Sequence, residues 1–139
     1  MAYKILLVDD EPDILEIISY SLESAGYKIY KANNGLEAIK IAKKIIPDLI
    51  IMDLMMPHMN GIDACEKIRK SDNLNDVIIT FLSARGEDFS KIAGFEAGAD
   101  DYITKPIKPK VLLSKVKALL RRKSSEQDQI IIQINDLII

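Results

Sequence analysis

Asp9-Asp10-Glu11, Asp53, Ser83 and Lys105 each stand at the end of an apolar run, and their types together suit phosphoryl chemistry. Carboxylates brought close repel one another and raise at least one pKa unless a cation joins them. Oxygen ligands with no His or Cys beside them favour a hard divalent ion. Mg2+ suits such a set because it keeps several waters and takes one or two carboxylates plus a phosphate oxygen. Beside that ion an Asp can attack a phosphoryl group, a Lys neutralises charge on the transferred group, and a Ser hydroxyl donates to one of its oxygens. These positions are spread over about a hundred residues, so the chemistry exists only if the fold collects them.

The pattern of the chain supplies such a fold. Short β-branched runs at Tyr3–Val8, Lys28–Ala32, Asp48–Met52, Val77–Leu82 and Asp101–Thr104 alternate with segments of helical period. The first, third and fourth runs are nearly continuous apolar stretches, as central parallel strands covered on both faces must be. Helices are predicted over Asp13–Ala25 (stripe Ile14, Leu15, Ile17, Ile18, Leu22), Leu36–Ile46 (Leu36, Ile39, Ala42, Ile46) and Ile62–Lys70 (Ile62, Cys65, Ile68). Two more follow over Glu87–Ala97, with Phe89, Ile92, Ala93 and Phe95 on the stripe, and Pro109–Arg122, with Leu112, Leu113, Val116, Leu119 and Leu120. This is an α/β rhythm, a (βα)5 doubly wound parallel sheet with expected strand order 2-1-3-4-5. Right-handed crossovers bring every strand C-terminus to one edge, and ligands bind there at the switch point between the first and third strands. Asp9, Asp10 and Asp53 flank that point.

Composition narrows the classes further. A chain of 139 residues, 48% hydrophobic and of net charge −2, suits one globular domain with a buried core and rules out intrinsic disorder. The near-neutral balance sets up no field that would draw in nucleic acid. A single cysteine excludes a disulfide framework and any multi-Cys zinc site, which suits a reducing cytoplasm. No apolar run approaches the ~18–20 residues of a membrane span, and Met1-Ala2-Tyr3-Lys4 does not open a signal peptide, so a soluble, unexported protein is expected.

Four segments carry a family resemblance in order: Val8-Asp9-Asp10-Glu11, Asp53-Leu54-Met55-Met56-Pro57, Leu82-Ser83-Ala84 and Asp101-Tyr102-Ile103-Thr104-Lys105-Pro106. From about Lys4 to Arg122 the chain resembles the receiver domain of a two-component response regulator, with its flavodoxin-like fold. The resemblance implies that Asp53 is the phosphoacceptor and that Mg2+ is held by Asp10, Asp53 and the main-chain carbonyl of Met55, with Asp9 helping directly or through water. Ser83 and Lys105 would contact the phosphoryl group, and Ser83 with Tyr102 would form the switch, Tyr102 turning inward on activation. The Lys105-Pro106 bond would be cis. The implied partner is a sensor histidine kinase, with self-phosphorylation from small phosphodonors and self-dephosphorylation as the chain's own reactions.

Plainer roles stand beside these. An Asp closing an apolar run is by itself more often a cap or turn residue, and three aligned partners at the other strand ends reverse that reading for Asp53. Asp13 is the expected cap of the first helix, His58 an exposed loop residue, and Cys65 a small core residue. A phosphohydrolase working through an aspartyl phosphate is the rival function, but its commonest motif needs an Asp where this chain has Met55. A flavin-binding domain would need a Ser/Thr/Gly-rich phosphate loop where it has carboxylates, and an unphosphorylated scaffold would lack part of the set.

The closest resemblance is to the winged-helix, OmpR/PhoB-type regulators, which dimerise through the fourth helix, fifth strand and fifth helix. Lys91, Glu96, Asp100, Asp101, Lys115 and Lys117 form the corresponding face here. Val111 replaces the usual Glu and Lys115 the usual Arg, so one ion pair lacks its acid and another its bidentate fork. Between Lys105 and Lys123 lie eight basic residues and no acidic one, which reads first as a solvated helix face. Residues 1–122 are thus the expected receiver. Residues 123–139, a polar linker and a tail with seven Ile or Leu in ten, are the expected stub of an effector domain through which alone DNA would be bound.

Overall fold

The computed structural model of the chain describes residues 2–84 and 88–122, leaving out the side chains of 88–91. The elements run β1 (Lys4–Val8), α1 (Pro12–Ser24), β2 (Lys28–Ala32), α2 (Gly35–Ile45), β3 (Leu49–Asp53), α3 (Gly61–Arg69), a 3-10 turn (Asp72–Leu74), β4 (Ile78–Ser83), α4 (Asp88–Ala97) and β5 (Asp101–Thr104). A last helix, α5, covers 109–122. All strand pairs are parallel, as the alternation predicts, and the order is the expected β2-β1-β3-β4-β5.

Side chains alternate across a strand, so the uninterrupted apolar runs divide between two layers. Leu6, Val8, Ile50, Met52, Ile79 and Phe81 face α2 and α3, where Ala38, Ala42, Ala64, Cys65 and Ile68 complete one core. Ile5, Leu7, Leu49, Ile51, Leu82 and Ile103 meet Leu15, Ile18 and Leu22 of α1 and Leu112, Val116, Leu119 and Leu120 of α5 in the other. Cys65 is fully buried, as its place on the α3 stripe predicts.

Several expectations shift. Asp53 and Ser83 are the last residues of β3 and β4 rather than the first beyond them. Asp13 lies in the first turn of α1 and the cap is Glu11, whose N–H donates to Asp9 Oδ1 at 2.9 Å. Ile17 is 58% exposed, because it lies about 200° around the helix from Leu15. Leu36 flanks the buried Gly35-Ala38-Ala42 stripe of α2, and Ile46 leaves the helix in the left-handed region at φ 49°. Among the described side chains of α4 it is the small Gly94 that is buried, while Ile92 and Phe95 face outward.

Arg69, in the last turn of α3, ties the far edge of the sheet together. Its Nε and Nη2 donate to Gly98 O at 3.0 and 2.8 Å, Nη1 donates to Asn75 O at 3.0 Å, and Nη2 pairs with Asp100 Oδ2 at 2.9 Å. Asp100 Oδ2 also accepts the N–H of Ile79 at 2.8 Å. Arg69→Ala should therefore lower stability by about 1–3 kcal/mol in urea denaturation. Arg69→Lys should recover less than half of that, because an ammonium cannot reproduce the planar fork.

Candidate functional site

The carboxyl edge of the sheet collects the residues that the sequence disperses. Val8 pairs with Met52 in register, so Asp9 leaves β1 beside Asp53 at the end of β3. Ser83 pairs with Thr104 in the β4–β5 ladder, and Lys105 N donates to Ser83 O at 2.7 Å, which seats Lys105 at the same mouth. The Lys105-Pro106 bond is cis. One carboxylate oxygen from each of Asp9, Asp10 and Asp53 lies within 4.8 Å of the others. Asp10 is exposed, while Asp9 is 1% and Asp53 7% accessible.

Lys105 Nζ approaches Asp53 Oδ2 at 3.4 Å and Asp9 Oδ2 at 3.7 Å. Burial pushes the Asp9 carboxyl up to about 6, against the lowering effect of the Glu11 N–H, and Asp53 adds to the rise. Burial also raises Asp53, with Lys105 and the Met55 N–H opposing it. Burial pulls Lys105 down, but Asp53 and Asp9 outweigh it and leave the ammonium raised. Asp9 Oδ2 and Ser83 Oγ are buried without a hydrogen-bond partner. Such groups are costly unless something completes them, and an oxygen-only cluster with an unfilled acceptor fits a hard divalent cation.

The remaining candidates divide. Met55 N donates weakly to Asp53 Oδ1 at 3.4 Å, and its side chain is exposed. Tyr102, expected to turn inward on activation, is inward already: it is 7% exposed, 5.6 Å between centroids from Phe81 and 4.7 Å from Phe95. His58 is exposed at φ 69°. Of the candidate dimer face, Asp100 is held by Arg69, Lys115 Nζ donates to Tyr102 O at 2.7 Å and pairs with Asp101 at 3.6 Å, and Glu96 and Lys117 are exposed. The Lys91 side chain and the 123–139 tail lie outside the described residues.

Sequence reasoning missed Gly61. A Cβ there would collide with the carbonyl oxygen of Asp53 and meet Phe81 Cε1 at 2.8 Å, so the start of α3 packs directly on the strand end that carries Asp53. A glycine opening a helix eight residues after that Asp is the signal that marked it.

The family model of the response regulator receiver domain matches residues 5–117. The chain belongs to the response regulator receiver family. This receiver is 43% identical over 122 residues to the alkaline phosphatase synthesis transcriptional regulatory protein PhoP of Bacillus subtilis strain 168, covering 88% of the chain and 50% of that protein. It is 40% identical over 135 residues to the phosphate regulon transcriptional regulatory protein PhoB of Pseudomonas aeruginosa, covering 97% of the chain and 59% of the relative. The chain thus spans about half the length of the curated relatives it matches. Among solved structures it is similar to the receiver domain of the sensor histidine kinase PA1611 of Pseudomonas aeruginosa, described with a magnesium ion coordinated in its active-site cleft. That match has a TM-score of 0.80 and 30% identity, covering 86% of this chain and 98% of that one. Among the described residues no helix is long and apolar enough to cross a membrane.

The Asp9 shift has a pH consequence. In the folded receiver Asp9 titrates at about 6, above the ordinary 3.8, so the folded form binds its proton more tightly than the unfolded form. Stability should therefore fall as pH rises from about 4 to about 6. In urea denaturation with EDTA present, Asp9→Asn should remove that decline and stabilise the protein at pH 7 by about 1–3 kcal/mol.

Proposed function

We propose that Asp53 accepts a phosphoryl group from the phosphohistidine of a sensor histidine kinase, and that the receiver thereby controls transcription through an effector domain lying beyond residue 122. The observation that carries this reading is the approach of Lys105 Nζ to Asp53 Oδ2 at 3.4 Å inside a cluster of three carboxylates. A carboxylate oxygen of Asp53 attacks phosphorus, the P–N bond breaks, and its electron pair leaves with the imidazole nitrogen. Lys105 meets the charge on the transferred group, and the free hydroxyl of Ser83 turns to one of its oxygens. Small phosphodonors enter the same reaction, and water later hydrolyses the acyl phosphate; no other substrate is turned over.

Asp9, Asp10, Asp53 and the main-chain carbonyl of Met55 would hold Mg2+, in keeping with the magnesium described for the similar PA1611 receiver. The ion supplies charge neutralisation for phosphoryl transfer among carboxylates. Asp9, deprotonated only above about pH 6, would supply a buried ligand oxygen that Lys105 approaches at 3.7 Å without a hydrogen bond.

Phosphorylation is then a population shift. Ser83 is drawn toward the phosphoryl group, the inward Tyr102 conformer is favoured, and the face of α4, β5 and α5 changes. Ile92, Phe95 and Val111 are exposed there, and a second copy of the receiver would pack on them, ringed by Glu96, Asp101, Lys115 and Lys117. Asp100, committed to Arg69, would stand aside from that ring. Such a relay operates in the cytoplasm, next to the kinase and the regulated DNA.

With acetyl phosphate and Mg2+, intact-mass spectrometry should show one phosphoryl adduct that EDTA or Asp53→Asn abolishes. Lys105→Ala should slow its formation about 10²-fold, the usual effect of losing one charge-stabilising donor. Mg2+ affinity, followed by isothermal titration calorimetry, should weaken about tenfold per unit below about pH 6, as a proton competes for Asp9. Affinity unchanged between pH 5 and 7 would remove Asp9 from the ligand set.

A further inference from the structure

Phe81 occupies a seat cut by two glycines. On one side lies Gly61, where a Cβ would collide with the Asp53 carbonyl oxygen, meet Phe81 Cε1 at 2.8 Å and approach Leu54 Cα at 3.2 Å. On the other lies Gly94 of α4, where a Cβ would collide with the Tyr102 hydroxyl and meet Phe81 Cε2 at 3.0 Å. The ring is fully buried, and Gly61 N is tied to Leu54 O at 2.8 Å, so the contact leaves no slack on the acceptor side. Beyond it the aromatics continue. Phe81 and Tyr102 lie 5.6 Å apart at 45°, and Tyr102 and Phe95 lie 4.7 Å apart at 62°, both within the range of aromatic pairing. Phe95 is 53% exposed, so this row of rings starts under the acceptor and ends at the surface of α4.

Close-packed interiors transmit strain because their contacts have nowhere to yield. Ser83 Oγ has no hydrogen-bond partner, whereas the row from Gly61 through Phe81 and Tyr102 to Phe95 is in contact throughout. We propose that Phe81 is a positioning residue that couples Asp53 to the outer face of α4, passing a change at the acceptor's main chain to Tyr102 and Phe95 by a route separate from Ser83. The inference rests on Asp53 being the phosphoacceptor and adds a mechanical route to that reading. The small residues at 61 and 94 are what let one large ring touch both elements.

The chain contains no tryptophan, so Phe95→Trp installs a single fluorescent reporter at the exposed end of the row. Its emission is followed with acetyl phosphate and Mg2+, with intact-mass spectrometry on the same samples, in three backgrounds: otherwise unchanged, Phe81→Leu and Ser83→Ala. The proposal expects a phosphorylation-dependent change in the first that falls at least twofold in Phe81→Leu at equal phosphoryl adduct, and a residual change in Ser83→Ala. A full-sized change in Phe81→Leu, or none at all in Ser83→Ala, would overturn it while leaving Asp53 as acceptor. Absence of any adduct would overturn the acceptor reading and the coupling with it. Far-UV circular dichroism monitors folding, and Phe81→Met, which keeps most of the side-chain volume, replaces Phe81→Leu if that variant does not fold; the same outcomes then decide.

Discussion

Two carboxylates, Asp9 and Asp53, are held almost out of water at the end of adjacent strands, with one ammonium within 4 Å of both. In that place each group sets the state of the others. Burial opposes ionisation of both acids, Lys105 opposes burial, and the acids in turn raise Lys105 above its ordinary range. Polar capacity remains on Asp9 Oδ2 and Ser83 Oγ, both buried without a hydrogen bond. The sheet that carries these groups must be rigid, because a carboxylate pair this poorly solvated opens the structure wherever packing gives way.

That rigidity comes from dividing strand residues between two cores. The three central strands are apolar on both faces, so neither layer can slide without uncovering the other. At the far edge, Arg69 joins α3 to the turn before β4 and to the turn between α4 and β5. Near the site, Gly61 lets α3 begin against the main chain of Asp53. Asp53 is thus supported from below by a helix rather than by a loop.

The α4 side has a different character. Among its described side chains the buried position is a glycine, and Ile92 and Phe95 lie outward. Small residues at a helix contact give little apolar surface to hold the helix and leave room for a ring beneath it. Meanwhile Lys115 and Asp100, which the family resemblance leads us to expect at a face between copies, are engaged within the chain by Tyr102, Asp101 and Arg69. Among the described residues of that surface, Ile92, Phe95 and Val111 lie exposed beside Glu96 and Lys117.

Much of this was legible in the residues themselves. Continuous apolar runs separated by helical periods imply a parallel sheet covered on both faces, and the polar residues that end those runs must meet at one edge, because the hand of the crossovers leaves no alternative. The doubly wound fold and the gathering of Asp9, Asp10, Asp53, Ser83 and Lys105 at one edge follow from that, while the strand order comes with the family resemblance. Which apolar residue of a helix faces inward did not follow: Ile17, Leu36 and Phe95 carry the right type at positions whose angle, set by neighbours in space, points elsewhere. Nor could spacing reveal that Asp100 belongs to Arg69, that Tyr102 already lies inward, or that Phe81 fits between Gly61 and Gly94. Periodicity along a chain records which residues prefer burial, whereas contacts between elements depend on the distances and angles at which those elements pack.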